Sequence, residues 1–231
     1  WDLMQVLFGA WAIVALGLLG RIVAGVLSLS RIAKRAASLK GTEEALLLAE
    51  VCAEAGVTRP VRLLRSEWSD VPMTWGALRP VVHLPAASAD WDPDRLRVVL
   101  EHEIAHVRRW DVLTLVLARA ATALHWFNPM AWMAARSLRD ESERASDDWV
   151  LRWGTMPSAY AEHLLELARG HMPSRLPATV LPMAHRSQFE GRLLAILKPE
   201  ADRRSVSMKR WITAGVVAGL GFTGLAAAVP V

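Results

Sequence analysis

Residues 92–111 read DPDRLRVVLEHEIAHVRRWD, and the rest of the chain is interpreted around them. Asp92 offers a side-chain oxygen to the free N–H groups of a helix start, Pro93 fits the first helical position, and no further Gly or Pro appears before Asp111. The spacing predicts one helix. Within it, His102-Glu103-Ile104-Ala105-His106 sets two imidazoles one turn apart, where both can grip a single zinc ion, with Glu103 beside the metal as candidate general base. On a helical wheel Leu96, Val99, Leu100, Ile104 and Val107 form an inward arc, while Asp94, Arg97, Glu101 and Arg108 point away. Glu103 falls inside the apolar arc and His106 at its margin. A carboxylate aimed into a core is costly unless paired or metal-bound, which disfavours the competing reading of two satisfied core histidines beside a stray acid.

A third ligand must come from elsewhere. Asp140 to Leu151 reads as a second helix in which Glu143 and Asp147 stand four apart and therefore share a face. Glu143 can then coordinate zinc while Asp147 accepts the second ring N–H of a ligand histidine and fixes its tautomer. Glu141 faces elsewhere, although spacing alone does not exclude it as the metal ligand. An acidic run by itself is usually a solvated helix surface; coupled to HExxH, it becomes a candidate half-site.

Five ordered blocks, VPMTWGALRPVVHLP at 71–85, HEIAHVRRWD at 102–111, HWFNPMAW at 125–132, ESERASDDWVL at 141–151 and YAEHLLELA at 160–168, resemble the BlaR/MecR-type membrane metallopeptidases, relatives of the gluzincins. The resemblance covers roughly residues 45–200. It implies a zinc endopeptidase embedded in or against the membrane, with His102, His106 and Glu143 as ligands and Glu103 as base. One departure is visible: the family pattern usually has Cys where this chain has Ser146, a position not expected to bind metal. The resemblance further implies a sensor that cleaves itself or a cytoplasmic transcriptional repressor. Such relatives carry an extracellular penicillin-binding domain after the last span, so the repressor is an expectation by analogy.

Composition agrees with a membrane protein. The chain is 53% hydrophobic with a mean hydropathy of +0.23, and its apolar residues concentrate toward both ends. No charge interrupts Leu3 to Gly20, a stretch of roughly 27 Å as a helix, and the basic residues follow it rather than precede it, as a retained span requires and a cleaved signal peptide does not. Trp211 to Val231 is a second uncharged run, with Trp211 as interfacial anchor. Its Gly215 and Gly219 form a GxxxG too common in Gly-rich spans to imply a dimer. Arg31, Lys34, Arg35 and Lys40 trail the first span and Arg203, Arg204, Lys209 and Arg210 precede the last, so the positive-inside rule puts the central region in the cytoplasm, and the resemblance implies that the membrane is a bacterial inner membrane. The sequence pI near 9.8 is assigned to anionic lipid headgroups, because no nucleic-acid-binding motif accompanies it. Cys52, the single cysteine, reads as core packing.

The expected fold is α+β, mainly helical: a gluzincin-like zinc peptidase domain with a small β-sheet, flanked by transmembrane helices. The expected boundaries are a span at 3–29, the peptidase domain at 40–200 and a span at 211–231. Thr42 caps a helix running to Gly56. Val61 to Leu64, Met73 to Trp75 and Val81 to Leu84 are strand-like, and Met73 to Trp75 is the candidate edge strand for holding substrate by β-addition, against the plainer reading of an ordinary hairpin. Residues 112–135 are apolar but carry Arg119, His125 and the Asn128-Pro129 break. They form either a core connection or a segment dipping into the bilayer, with two crossings or none, since Glu143 must return to the histidines. Tyr160, His163 and His185 are possible oxyanion donors but are not assigned to the site, and Arg109 with Asp111 forms an orienting ion pair. The expected function is hydrolysis of a protein or peptide substrate; the alternative is a membrane signalling scaffold retaining the fold without proteolysis.

Overall fold

The computed structural model describes residues 2–169, 181–182 and 186–197, all within one compact unit spanning Trp1–Pro199. The expected second span at 211–231, its basic flank and His185 lie outside the described residues. The first helix, α1 (Leu3–Arg35), is long and apolar enough to cross a membrane. Most of its side chains are exposed, but Leu29 and Ala33 near its end are buried against the sheet. A two-residue strand β1 (Ala37–Ser38) follows, then α2 (Glu43–Glu54). Thr42 stands at the α2 N-cap position, yet its hydroxyl donates to the Leu39 carbonyl at 2.9 Å and makes no side-chain cap.

The strands are β2 (Arg62–Ser66), β3 (Met73–Trp75), β4 (Val81–Pro85) and a two-residue β5 (Leu181–Pro182), joined with β1 in the order β1-β2-β4-β3-β5. β2 and β4 are parallel; the other pairs are antiparallel. Alternation along the strands divides them between two cores. Leu63, Val82 and Leu84 face the main core, whereas Leu64, Met73, Trp75 and Val81 pack with Leu29 and Ala33 of α1. Coverage on both faces explains why all five residues of β4 are buried.

β3 is not an open edge. Leu181–Pro182 pairs with it, Thr74 opposite Leu181 and Met73 opposite Pro182, so the returning chain takes the backbone groups that an edge strand would present. The expectation of a free substrate-holding edge at Met73 to Trp75 is corrected accordingly.

Four more helices complete the described path to α6, with α7 beyond it: α3 (Pro93–Arg109), α4 (Asp111–Leu124), α5 (Pro129–Arg152), α6 (Pro157–Arg169) and α7 (Arg186–Leu197). α3 begins as its sequence predicts, with Asp92 Oδ1 accepting from the Arg95 N–H at 2.8 Å. It stops at Trp110, whose φ of 60° is left-handed and turns the chain directly into α4. Arg59 secures this corner by donating to the Val107 and Ala77 carbonyls, and its guanidinium stacks 3.5 Å from the Trp110 ring centroid. Arg97 ties α3 to α2 through Glu50 and Glu54 and pairs within its own helix with Glu101. This packing buries Glu101 to 5% exposure, where the helical wheel points it to solvent, because α2 covers that flank of α3.

α4 and α5 form a hairpin whose turn is closed by Asn128 accepting from the Met130 N–H at 2.9 Å. Its tip lies alongside the first half of α1, where the Trp11 indole N–H donates to the Leu124 carbonyl at 2.9 Å. His125 caps the end of α4, its Nδ1 3.0 Å from the Ala121 carbonyl. The 24 residues of α5 then return Glu143 and Asp147 to α3. The architecture is mainly helical with a small mixed sheet.

Candidate metal centre

One turn of helix separates the two histidines of α3, and the structure brings them together with a carboxylate from α5. His102, His106 and Glu143 are each at most 2% exposed, and one ligand atom from each lies within 4.8 Å of the others. The two Nε2 atoms face each other at 3.3 Å. Glu143 Oε2 is 3.7 Å from His102 Nε2, and Oε1 is 3.8 Å from His106 Nε2. Glu141 is on the exposed side, paired with Arg144, which separates it from Glu143 as spacing alone did not.

Both outward-facing Nδ1 atoms are already engaged. That of His106 sits 2.8 Å from Asp111 Oδ2, an acid delivered by the left-handed turn at Trp110. Asp111 is held in turn by Arg109 and by the Ser142 hydroxyl at 2.8 Å. That of His102 sits 2.8 Å from the Tyr160 hydroxyl and 3.3 Å from Asp147 Oδ1, and the Tyr160 O–H donates to Asp147 Oδ1 at 2.7 Å. With Nδ1–H donating outward, each ring presents an Nε2 lone pair inward, the arrangement that metal-ligating histidines require.

Glu103 is fully buried. The Thr74 hydroxyl of β3 donates to its Oε2 at 2.5 Å, and its Oε1 has no hydrogen-bond partner. Both oxygens of Glu143 likewise lack hydrogen bonds, although Arg192 Nη1 forms an ion pair with Oε2 at 3.0 Å. Bare buried carboxylate oxygens beside paired Nε2 atoms are what a divalent cation would satisfy, so the donor set fits zinc. Charge points the same way. The carboxylates of Glu103, Asp111, Glu143 and Asp147 outnumber the guanidiniums of Arg109 and Arg192 that pair directly with them, and a cation would offset this negative charge.

That negative charge draws protons. Burial lowers the affinity of His102 for a proton, but Asp147 and Glu143 outweigh it and push its pKa up to about 9. Burial raises the pKa of Glu103. Burial also works to raise Glu143, yet Arg192 and the histidines hold it below the usual carboxylate range.

Several contacts were not legible in the motif. Ser146 lies against the His106 ring, its Oγ 3.1 Å from Nδ1 and 2.7 Å from Arg109 Nη2; its place three residues after Glu143 was the available signal. Tyr160 faces His102 and Asp147, a position that makes it a buttress rather than the oxyanion donor weighed from sequence. The Nδ1 of His163 is buried without a hydrogen-bond partner. Thr74 and Arg192 reach the site only through tertiary packing.

Comparison with known proteins agrees with this geometry. Over 120 residues the chain is 30% identical to Regulatory protein BlaR1 of Bacillus licheniformis, a match covering 52% of this chain and 20% of that protein. The alignment thus spans about a fifth of the relative's length. A family model described as BlaR1 peptidase M56 matches residues 1–196. That match takes in the sheet, the HExxH helix and the acidic helix together, and the chain belongs to the BlaR1 peptidase M56 family.

Proposed function

We propose that the chain is an integral-membrane zinc-dependent endopeptidase in which His102, His106 and Glu143 hold the ion, Glu103 is the general base and Asp147 orients His102. The observation that carries this reading is the convergence of two inward Nε2 atoms and a buried carboxylate, with both Nδ1 atoms engaged elsewhere. A zinc ion held there would supply the Lewis acidity that activates water and polarises a peptide carbonyl. The proton transfers fall to the chain itself. Glu103, tethered at Oε2 by Thr74 and bare at Oε1, takes the proton of the attacking water and delivers it to the departing amine. Its burial raises its affinity for that proton, which suits a group that must hold it between two steps.

The membrane arrangement belongs to the same proposal. α1 crosses the bilayer, and Arg31, Lys34, Arg35 and Lys40 mark its cytoplasmic end. The α4–α5 hairpin dips back beside α1, supported by the Trp11 contact to Leu124 and by the exposure of Leu117, Phe127, Met130 and Met133. At 14 residues α4 reaches about 21 Å, short of a full crossing, which favours a shallow return to the same side. The substrate is a protein or peptide on the cytoplasmic side, and the relative's description as a regulatory protein supports placing the cleavage in signalling, through self-cleavage or cleavage of a transcriptional repressor.

The test compares protein N-termini in cells expressing wild type or Glu103→Gln. New termini with wild type only, at equal metal content of the two proteins, are expected. If wild type generates no termini of its own and the phenotype is unchanged, the non-proteolytic scaffold takes precedence.

A further inference from the structure

Arg192 is the one arginine in the buried core among the described residues, 4% exposed, and it comes from α7, more than forty residues beyond the acidic helix. Its guanidinium engages both acids of α5. Nε donates to Asp147 Oδ2 at 2.8 Å, Nη2 donates to Asp147 Oδ1 at 2.6 Å, and Nη1 pairs with Glu143 Oε2 at 3.0 Å. One planar group thus joins the two acids that stand one turn apart on α5. Asp147 Oδ1 also receives the Tyr160 hydroxyl, which in turn meets His102 Nδ1. A continuous chain of contacts therefore runs from Arg192 to two of the three candidate metal ligands.

We propose that Arg192 is a positioning residue for the metal centre: it holds Glu143 by Oε2 and Asp147 by both oxygens, so that Glu143 offers the ion a single oxygen, Oε1. This rests on the zinc reading above. A carboxylate free to swing could bind through both oxygens and fill the place that water needs, and a guanidinium fork prevents this in a way that charge alone does not. The bland alternative is that Arg192 merely neutralises two buried acids. Lysine separates the two ideas, because it keeps the charge but cannot span both carboxylates from one rigid plane.

The experiment uses the full chain purified in detergent as wild type, Arg192→Lys and Arg192→Gln. Zinc affinity is read by chelator competition, coordination by the visible spectrum of the cobalt(II)-loaded protein, and folding by circular dichroism of the metal-free protein. Loss of about 10- to 100-fold in zinc affinity is expected in the lysine variant with its fold intact. A weaker cobalt band, signifying more ligands around the ion, should accompany it. Wild-type affinity and spectrum in Arg192→Lys would overturn the proposal and leave charge neutralisation. Failure of both variants to fold, with or without metal, would also overturn it by making Arg192 a core strut. Absence of zinc from the wild type would instead remove the metal reading on which the proposal stands.

Discussion

Each acid of the site is defined by which of its oxygens is tied. Thr74 takes one oxygen of Glu103 and Arg192 one of Glu143, which leaves Oε1 of each acid without a hydrogen bond, that of Glu143 3.8 Å from His106 Nε2. A separate residue-scale feature is His83 on β4. It is fully buried between Trp68 and Trp75, with Nε2 2.8 Å from the Ser66 hydroxyl, and burial lowers its pKa to about 4. Because the folded value lies below the ordinary histidine value of 6.5, the unfolded chain binds the proton first as pH falls. His83 therefore contributes stability that is full above pH 6.5 and drains away toward pH 4, about 3 kcal/mol in all. Glu101, pushed up to about 7 by burial, acts in the opposite sense over part of the same range. Comparing wild type with His83→Phe cancels it. Chemical denaturation at pH 6.5 and 4.5 should show wild type losing more stability than the variant, whereas parallel losses would refute the assignment.

At the scale of elements, the β3–β4 hairpin places Thr74 against Glu103, and Gly76 sets its turn. Gly76 has φ of +82°, and a Cβ there would stand 2.5 Å from the Arg79 carbonyl oxygen. Gly76→Ala is predicted to cost about 2 kcal/mol, a fall of roughly 4–8 °C in thermal midpoint for a domain of this size, by thermal scanning. An unchanged midpoint would show that the turn relaxes freely. The sequence made the hairpin and the start of α3 readable because both rest on local signals, a Gly-to-Pro turn and the Asp92-Pro93 cap. It misled where a neighbour decides the outcome. Thr42 occupies the cap position but turns its hydroxyl to Leu39, Glu101 is covered by α2, and β3 receives β5 from a segment a hundred residues away. Helix-wheel and alternation arguments see one element at a time and contain no term for these partners.

At the scale of the whole molecule, the membrane helix and the site are built into one body. α1 ends among the residues behind the sheet, the tip of the α4–α5 hairpin lies beside its first half, and α5 carries the acids back. The candidate trio was legible because helical periodicity sets its two histidines at i and i+4 and puts Glu143 on one face with Asp147 at the same interval. Their supports were less so. Tyr160 stood out as the single tyrosine but without a direction, and nothing local to GRLLAIL at 191–197 distinguishes Arg192 from a surface arginine. The central claim is that this body is built around one metal ion. Zinc per chain, measured by elemental mass spectrometry on detergent-purified wild type beside Glu143→Ala, tests it most directly. About one zinc is expected in the wild type and strong loss in the variant; a folded wild type that takes up no zinc even after reloading would contradict a metal centre at this site.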